Sequence, residues 1–134
     1  MKWLTLTRLI LMSTTAFTDT AGGEKNSPGE KIIFSILKWL LPPHRDNVNA
    51  AIYLRDEVGN QGNILEWIAV RPDTLIDEDA ESEYEICPSP VRSPVFDAGK
   101  VSRLNVGRFM SELLTDDGLW RAWCYKMPVI YNKE

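Results

Sequence analysis

The chain has 134 residues, enough for one domain and too few for two, and its 44% apolar content is ordinary for a globular protein, which excludes disorder throughout. A formal charge of -4, with Lys and Arg scattered, argues against a nucleic-acid partner and against a membrane partner. One histidine and two cysteines without CxxC spacing speak against a zinc site.

Residues 1–16 have the layout of a secretory signal, with a basic start at Lys2, an apolar middle and the small-residue end Ser13-Thr14-Thr15-Ala16. Arg8 splits the apolar part, and Leu9-Ile10-Leu11-Met12 falls short of the roughly 7–15 residues of a signal core. The preferred reading is a buried parallel strand over 9–12 that ends in three hydroxyl residues. No run approaches the ~20 residues of a membrane span. Free thiols at Cys87 and Cys124 fit a reducing, cytoplasmic compartment, while a single disulfide stays open.

Residues 17–29, rich in Thr, Asp, Gly, Asn and Ser, read as a loop. Ser27-Pro28-Gly29-Glu30 opens a helix: Ser27 caps, Pro28 suits the first turn, and Glu30 completes a capping box. Ile32, Ile33, Ile36, Leu37, Leu40 and Leu41 follow at helical spacing, and Pro42-Pro43 ends the helix. A second helix is expected from Asp46 or Asn47, with Val48, Ala51, Ile52 and Arg55 on one face and Gly59 at its cap. After a turn over 59–63, an apolar strand over 65–70 runs into Arg71-Pro72 and stops, because Pro72 lacks an N–H and biases Arg71 toward extended backbone.

The acidic run 77–83 reads as a solvated loop rather than a metal site, since carboxylates adjacent in sequence need not converge. Tyr84 to Cys87 alternates like a short strand, and the Pro-rich stretch 88–94 is a loop near the surface or over a pocket. Ser102 caps a helix whose Val106, Phe109, Met110, Leu113 and Leu114 form an apolar stripe. Asp116-Asp117-Gly118 ends it, residues 119–123 add one or two helical turns, and 127–132 form a terminal strand. Trp39, Trp120 and Trp123 read as core or interface anchors. The expected fold is α/β, with strands 9–12 and 65–70 parallel and adjacent and the two intervening helices as their crossover.

This order of elements resembles the carboxyl-terminal half of an atypical short-chain dehydrogenase/reductase, of the NAD(P)-binding kind that includes NmrA-like and biliverdin-reductase-B-like proteins. The resemblance rests on Leu9-Ile10-Leu11-Met12-Ser13-Thr14, on Trp67-Ile68-Ala69-Val70-Arg71-Pro72-Asp73-Thr74-Leu75, on Ser102-Arg103-Leu104-Asn105-Val106-Gly107-Arg108-Phe109-Met110, and on Pro128-Val129-Ile130-Tyr131. It implies a Rossmann-type doubly wound parallel sheet and NADP or NAD as cofactor. It also implies a single partial domain over 1–134 that lacks the amino-terminal Gly-rich half. Residues 1–7 would be an unrelated or truncated lead-in.

Two departures bear on activity. No G-x-x-G-x-x-G spacing exists to cradle a pyrophosphate at a helix N-terminus; Gly22-Gly23 lies in a loop after an internal strand. The family's active members often carry Tyr-x-x-x-Lys, but here Tyr53 is followed four positions on by Glu57, and Tyr125-Lys126 is adjacent. The resemblance therefore implies at most a remnant of an oxidoreductase, not competent alone. A non-enzymatic regulatory or interaction module on the same fold, and a small secreted protein with a cleaved amino terminus, remain as alternatives.

The candidate site residues lie at two strand ends. Ser13 reads equally as the residue that orients a substrate carbonyl and as a strand-end hydroxyl bonded to backbone. Arg71 reads equally as a ligand for a phosphate or carboxylate and as half of a fold-maintaining salt bridge. Ser13, Thr14, Arg71, Pro72, Asp73 and Thr74 would line the nicotinamide end of a bound dinucleotide, with Ser13 the catalytic candidate. His44, alone in a Pro-rich turn, reads as structural or solvated. The unpaired edge of strand 9–12 points to self-association.

Overall fold

The computed structural model describes residues 6–61 and 64–134. The basic start of the signal-like segment and most of the lead-in 1–7 lie outside the described residues.

β1 (Thr7–Met12) and β2 (Leu65–Pro72) pair in parallel from Thr7↔Leu65 to Met12↔Val70. The other side of β2 pairs in parallel with β6 (Val129–Asn132) at Arg71↔Val129 and Pro72↔Ile130. β6 in turn takes β4 (Tyr84–Cys87) antiparallel, so the sheet order is β1-β2-β6-β4. The parallel α/β arrangement expected from the sequence is present.

β2 is central, and its side chains alternate between two cores, as the two-residue period of a strand requires. Ile68 and Val70 join Val101, Val106, Phe109, Leu113, Trp120 and Ile130 on one face. Trp67 and Ala69 join Phe17, Val48, Ala51, Leu54 and Met127 on the other. Arg71 falls on the Trp67 side by the same alternation, and this places its guanidinium beside the loop after β1.

α1 (Pro28–Leu40) begins with the expected capping box: Ser27 Oγ accepts from Glu30 N at 3.2 Å, and Glu30 Oε1 accepts from Ser27 N at 2.9 Å. α2 (Pro42–Tyr53) starts at Pro42, not near Asp46. The two prolines occupy its first turn, where their missing N–H groups have no helical partner to lose, so they open α2 as well as closing α1. One wider turn (Leu54–Val58) leads to Gly59, whose φ of 62° explains the glycine at this stop. The Gly59 carbonyl accepts from Trp67 Nε1 at 2.9 Å.

α3 (Arg103–Thr115) is capped by Ser102, and α4 (Asp117–Trp123) follows directly. Trp120 is fully buried in the core, whereas Trp39 is 83% exposed. Arg8, the cation inside β1, pairs with Asp117 at 2.9 Å and stacks over the Trp120 ring. A charge in the strand is thus accommodated by α4. A second parallel pair, β3 (Thr74–Ile76) with β5 (Lys100–Ser102), is present where no strand was expected. Three-residue strands carry too little alternation to register as such.

Candidate nucleotide site at the ends of β1 and β2

The backbone after β1 continues alongside the end of β2. Ser13 N donates to Val70 O at 2.7 Å and Thr15 N donates to Pro72 O at 3.2 Å. Pro72 cannot donate, but its carbonyl still serves the ladder, so β2 runs two residues past the expected strand end at Val70. These bonds bring Ser13, Thr14 and Thr15 beside Pro72, Asp73 and Thr74. Both groups lie at carboxyl ends of adjacent parallel strands, where open α/β sheets place their ligand crevices.

Ser13 is 5% exposed, and its Oγ is the one buried side-chain oxygen or nitrogen without a hydrogen-bond partner among the described residues. The bland reading of Ser13, a hydroxyl bonded to backbone, has no support in this geometry. Thr14 Oγ1 accepts from Ala16 N at 3.2 Å and so shapes the turn out of the strand.

Asp73 is buried and ties three segments together. Its Oδ1 accepts from Thr15 Oγ1 at 3.1 Å, and its Oδ2 accepts from Gly99 N at 2.8 Å. Burial pushes the Asp73 carboxyl above the ordinary aspartate range, and the hydrogen bonds offset this in part. Gly99 must be glycine here, because a Cβ would lie 2.5 Å from the Tyr131 ring and 3.4 Å from Asp73 Oδ2. Thr74 is exposed, with its N–H donated to Gly99 O at 3.3 Å.

Arg71 is fully buried, and all five of its N–H donors are engaged within the chain. Nε donates to Met127 O at 2.9 Å. Nη1 donates to Glu24 Oε2 at 2.8 Å and to Phe17 O at 3.3 Å. Nη2 donates to Glu24 Oε1 at 2.7 Å and to Pro88 O at 3.4 Å. The bidentate contact with Glu24 fastens the loop after β1 to β2, which is the salt-bridge alternative stated for Arg71. Burial pushes Glu24 up, but the bonds from Arg71 and from Asp19 N, with the guanidinium charge, outweigh it and hold the carboxyl below the usual glutamate range. Glu24 lines two clefts. One, of about 410 Å³, is lined by Arg55, Trp67, Arg71 and Tyr125, and the other, of about 440 Å³, by Thr15, Asn26, Arg92 and Ser93.

Glu24, Thr15 and Gly99 were not among the expected site residues. Glu24 carried no signal, as one acid in a polar loop, whereas Thr15 adjoined the hydroxyl run at the end of β1.

A family profile described as NAD(P)H-binding matches residues 1–117. The chain belongs to that family. Its fold is similar to that of the oxidoreductase ylbE from Lactococcus lactis, with a TM-score of 0.56 at 20% identity over 93% of this chain and 46% of that one. It is also similar to a short-chain dehydrogenase/reductase from Veillonella parvula solved in complex with NADP, with a TM-score of 0.51 at 17% identity over 93% of this chain and 49% of that one. This chain thus spans about half the length of either solved structure. No curated protein sequence matches it. No helix among the described residues is long and apolar enough to cross a membrane, and none of their acidic, His and Cys side chains cluster as a metal site.

Proposed function

We propose that this chain supplies the nicotinamide-facing part of an NAD(P)-dependent oxidoreductase of the NmrA-like and biliverdin-reductase-B-like kind, corresponding to the carboxyl-terminal half of such a domain. The observation that carries this reading is the buried, unpartnered Ser13 Oγ at the end of β1. An unmade hydrogen bond on a buried hydroxyl costs about 1–3 kcal/mol, so it belongs where a ligand completes the bond. That orphaned donor is the respect in which the residues fit a cofactor with its substrate carbonyl.

The nicotinamide, when bound, gives or takes a hydride. Ser13 donates its hydroxyl proton in a hydrogen bond to the substrate carbonyl and orients it. Thr14, Pro72, Asp73 and Thr74 form the wall of the crevice. Asp73 holds Thr15 and Gly99, so the two strand-end turns keep a fixed spacing. Arg71, its donors all used, holds the loop over 17–27 through Glu24 and acts as a positioning residue rather than a phosphate ligand. The compartment we propose is the cytoplasm, which suits the free thiols of Cys87 and Cys124.

The phosphate grip is the part this sequence does not supply, because it has no Gly-rich turn leading into a helix. Calorimetric titration of the chain with NADPH is therefore expected to show no saturable binding at micromolar concentration, and no reductase turnover. In a protein joining this chain to a Gly-rich mononucleotide-binding half, NADPH binds, and Ser13→Ala lowers turnover by about 10²-fold, the scale of one lost positioning donor. Turnover unchanged by Ser13→Ala in that protein would remove Ser13 from the site. Saturable binding to the chain alone, weakened by Ser13→Ala or Thr74→Ala, would show that it is competent without the other half.

A further inference from the structure

α1 is apolar around most of its circumference, yet packing consumes little of it. Ile33, Phe34 and Leu37 are half-buried, and Glu30 is buried. Ile32, Ile36, Trp39 and Leu40, at i, i+4, i+7 and i+8, form a second apolar stripe that points to solvent. Ile32 is 63% exposed and Leu40 56%, and Trp39 is the most exposed large apolar side chain among the described residues. Leu41 extends the patch into the turn before α2.

The segment that carries this stripe is opposite in charge to the chain as a whole. Residues 25–45 hold Lys25, Lys31, Lys38 and Arg45 against one acid, a net of +3 within a chain of -4. That acid, Glu30, is turned inward and bonded to Ser27 N and Ser93 Oγ. Of the acids bordering the segment in sequence, Glu24 is bound to Arg71, and Asp46 is exposed. Lys31 and Ser35 lie on the flank of the stripe and are exposed. An apolar helix face with an exposed tryptophan, and Lys31 at its border, matches a helix lying in the plane of a lipid interface.

We infer that α1 docks this chain on an anionic lipid surface, with Ile32, Ile36, Trp39 and Leu40 in the headgroup–acyl boundary and Lys31 at the phosphates, in a segment whose net charge is positive. The thirteen residues of α1 are too few to span a bilayer, so the helix lies on the surface. The whole-chain charge that argued against a membrane partner hides this segregation. The inference does not depend on the dinucleotide reading, because the stripe is separate from Ser13 and Asp73.

The test is sedimentation of the full chain with vesicles of phosphatidylcholine alone and with phosphatidylserine added. Binding is expected to the mixed vesicles, weaker to neutral ones, and reduced by salt. Trp39→Ser and Ile36→Ser are each expected to lower the partition coefficient by about tenfold, with the far-ultraviolet dichroism and unfolding midpoint unchanged because both side chains are exposed. In the wild-type chain, brominated lipid quenches tryptophan emission, and Trp39→Phe removes that quenching while retaining binding. Failure to sediment with the mixed vesicles overturns the inference, as does binding that survives both serine variants. A dimer in light scattering that Trp39→Ser converts to monomer also overturns it, since a second copy would then cover the face.

Discussion

Thr15 and Asp73, fifty-eight residues apart in sequence, meet across the ends of the two adjacent parallel strands, with the threonine hydroxyl donating to Asp73 Oδ1 at 3.1 Å. The second carboxylate oxygen takes the Gly99 N–H, so one buried side chain joins the loop after β1, the end of β2 and the start of β5. Asp73→Ala is expected to destabilise the chain by about 1–3 kcal/mol, because it leaves a buried hydroxyl and a buried N–H without partners. Thr15→Val should cost less, since Gly99 still satisfies one oxygen. Urea unfolding checks this: the midpoint should fall with the slope unchanged.

The Glu24–Arg71 pair makes stability depend on pH. Glu24 has a folded pKa below its unfolded one, so the unfolded chain takes up the proton first. Its contribution is fully present above the unfolded value and is lost as pH falls through the folded value. Asp73 acts in the opposite sense: its folded pKa is raised, so acidification through that window favours the fold. Glu24→Gln should therefore flatten the acid limb of a melting-temperature profile below about pH 5, and Asp73→Asn should steepen it. At neutral pH Arg71→Ala should cost about 3–5 kcal/mol, because it empties the space of a fully buried side chain and leaves the half-buried Glu24 carboxylate without its partner. A profile unchanged by Glu24→Gln would show that the pair is not closed in solution.

Ser13→Ala is expected to leave stability within about 0.5 kcal/mol of wild type, or to raise it, because the hydroxyl it removes has no partner to lose. Chemical denaturation of the two proteins decides this. A loss above about 1 kcal/mol would reveal a bond that Ser13 makes within the chain and would weaken the case for a ligand there.

β1 is the outer strand of the described sheet, and Leu9 and Met12 on it are exposed. An open, apolar strand edge is a template for pairing with another chain. The chain is expected to self-associate as concentration rises, and Leu9→Lys should oppose this by placing a charge on the edge. Light scattering over a concentration series reads the difference. A wild-type chain that stays monomeric throughout would mean that this edge is protected.

Local signals determined much of the secondary structure. The Ser27-to-Glu30 capping box, the Ser102 cap, the break at Gly59 and the apolar runs of β1 and β2 are contacts or periodicities within a few residues. They appear in the structure where the residue types put them. The parallel pairing of β1 with β2 was legible for a related reason, since two helices between two short apolar strands leave a crossover as the economical connection.

Tertiary structure alone decided what those elements face. Arg71 stood at a strand end with a phosphate ligand and a salt bridge equally open. Its partner Glu24 lies forty-seven residues away in sequence, and nothing near either residue encodes the meeting. The outward turn of Trp39 follows from how α1 sits on its neighbours, because the helix is apolar on more sides than one neighbour can cover. The orphaned Ser13 hydroxyl is of the same kind. A sequence shows that a donor is present, but whether its partner is missing depends on every chain segment that folds around it.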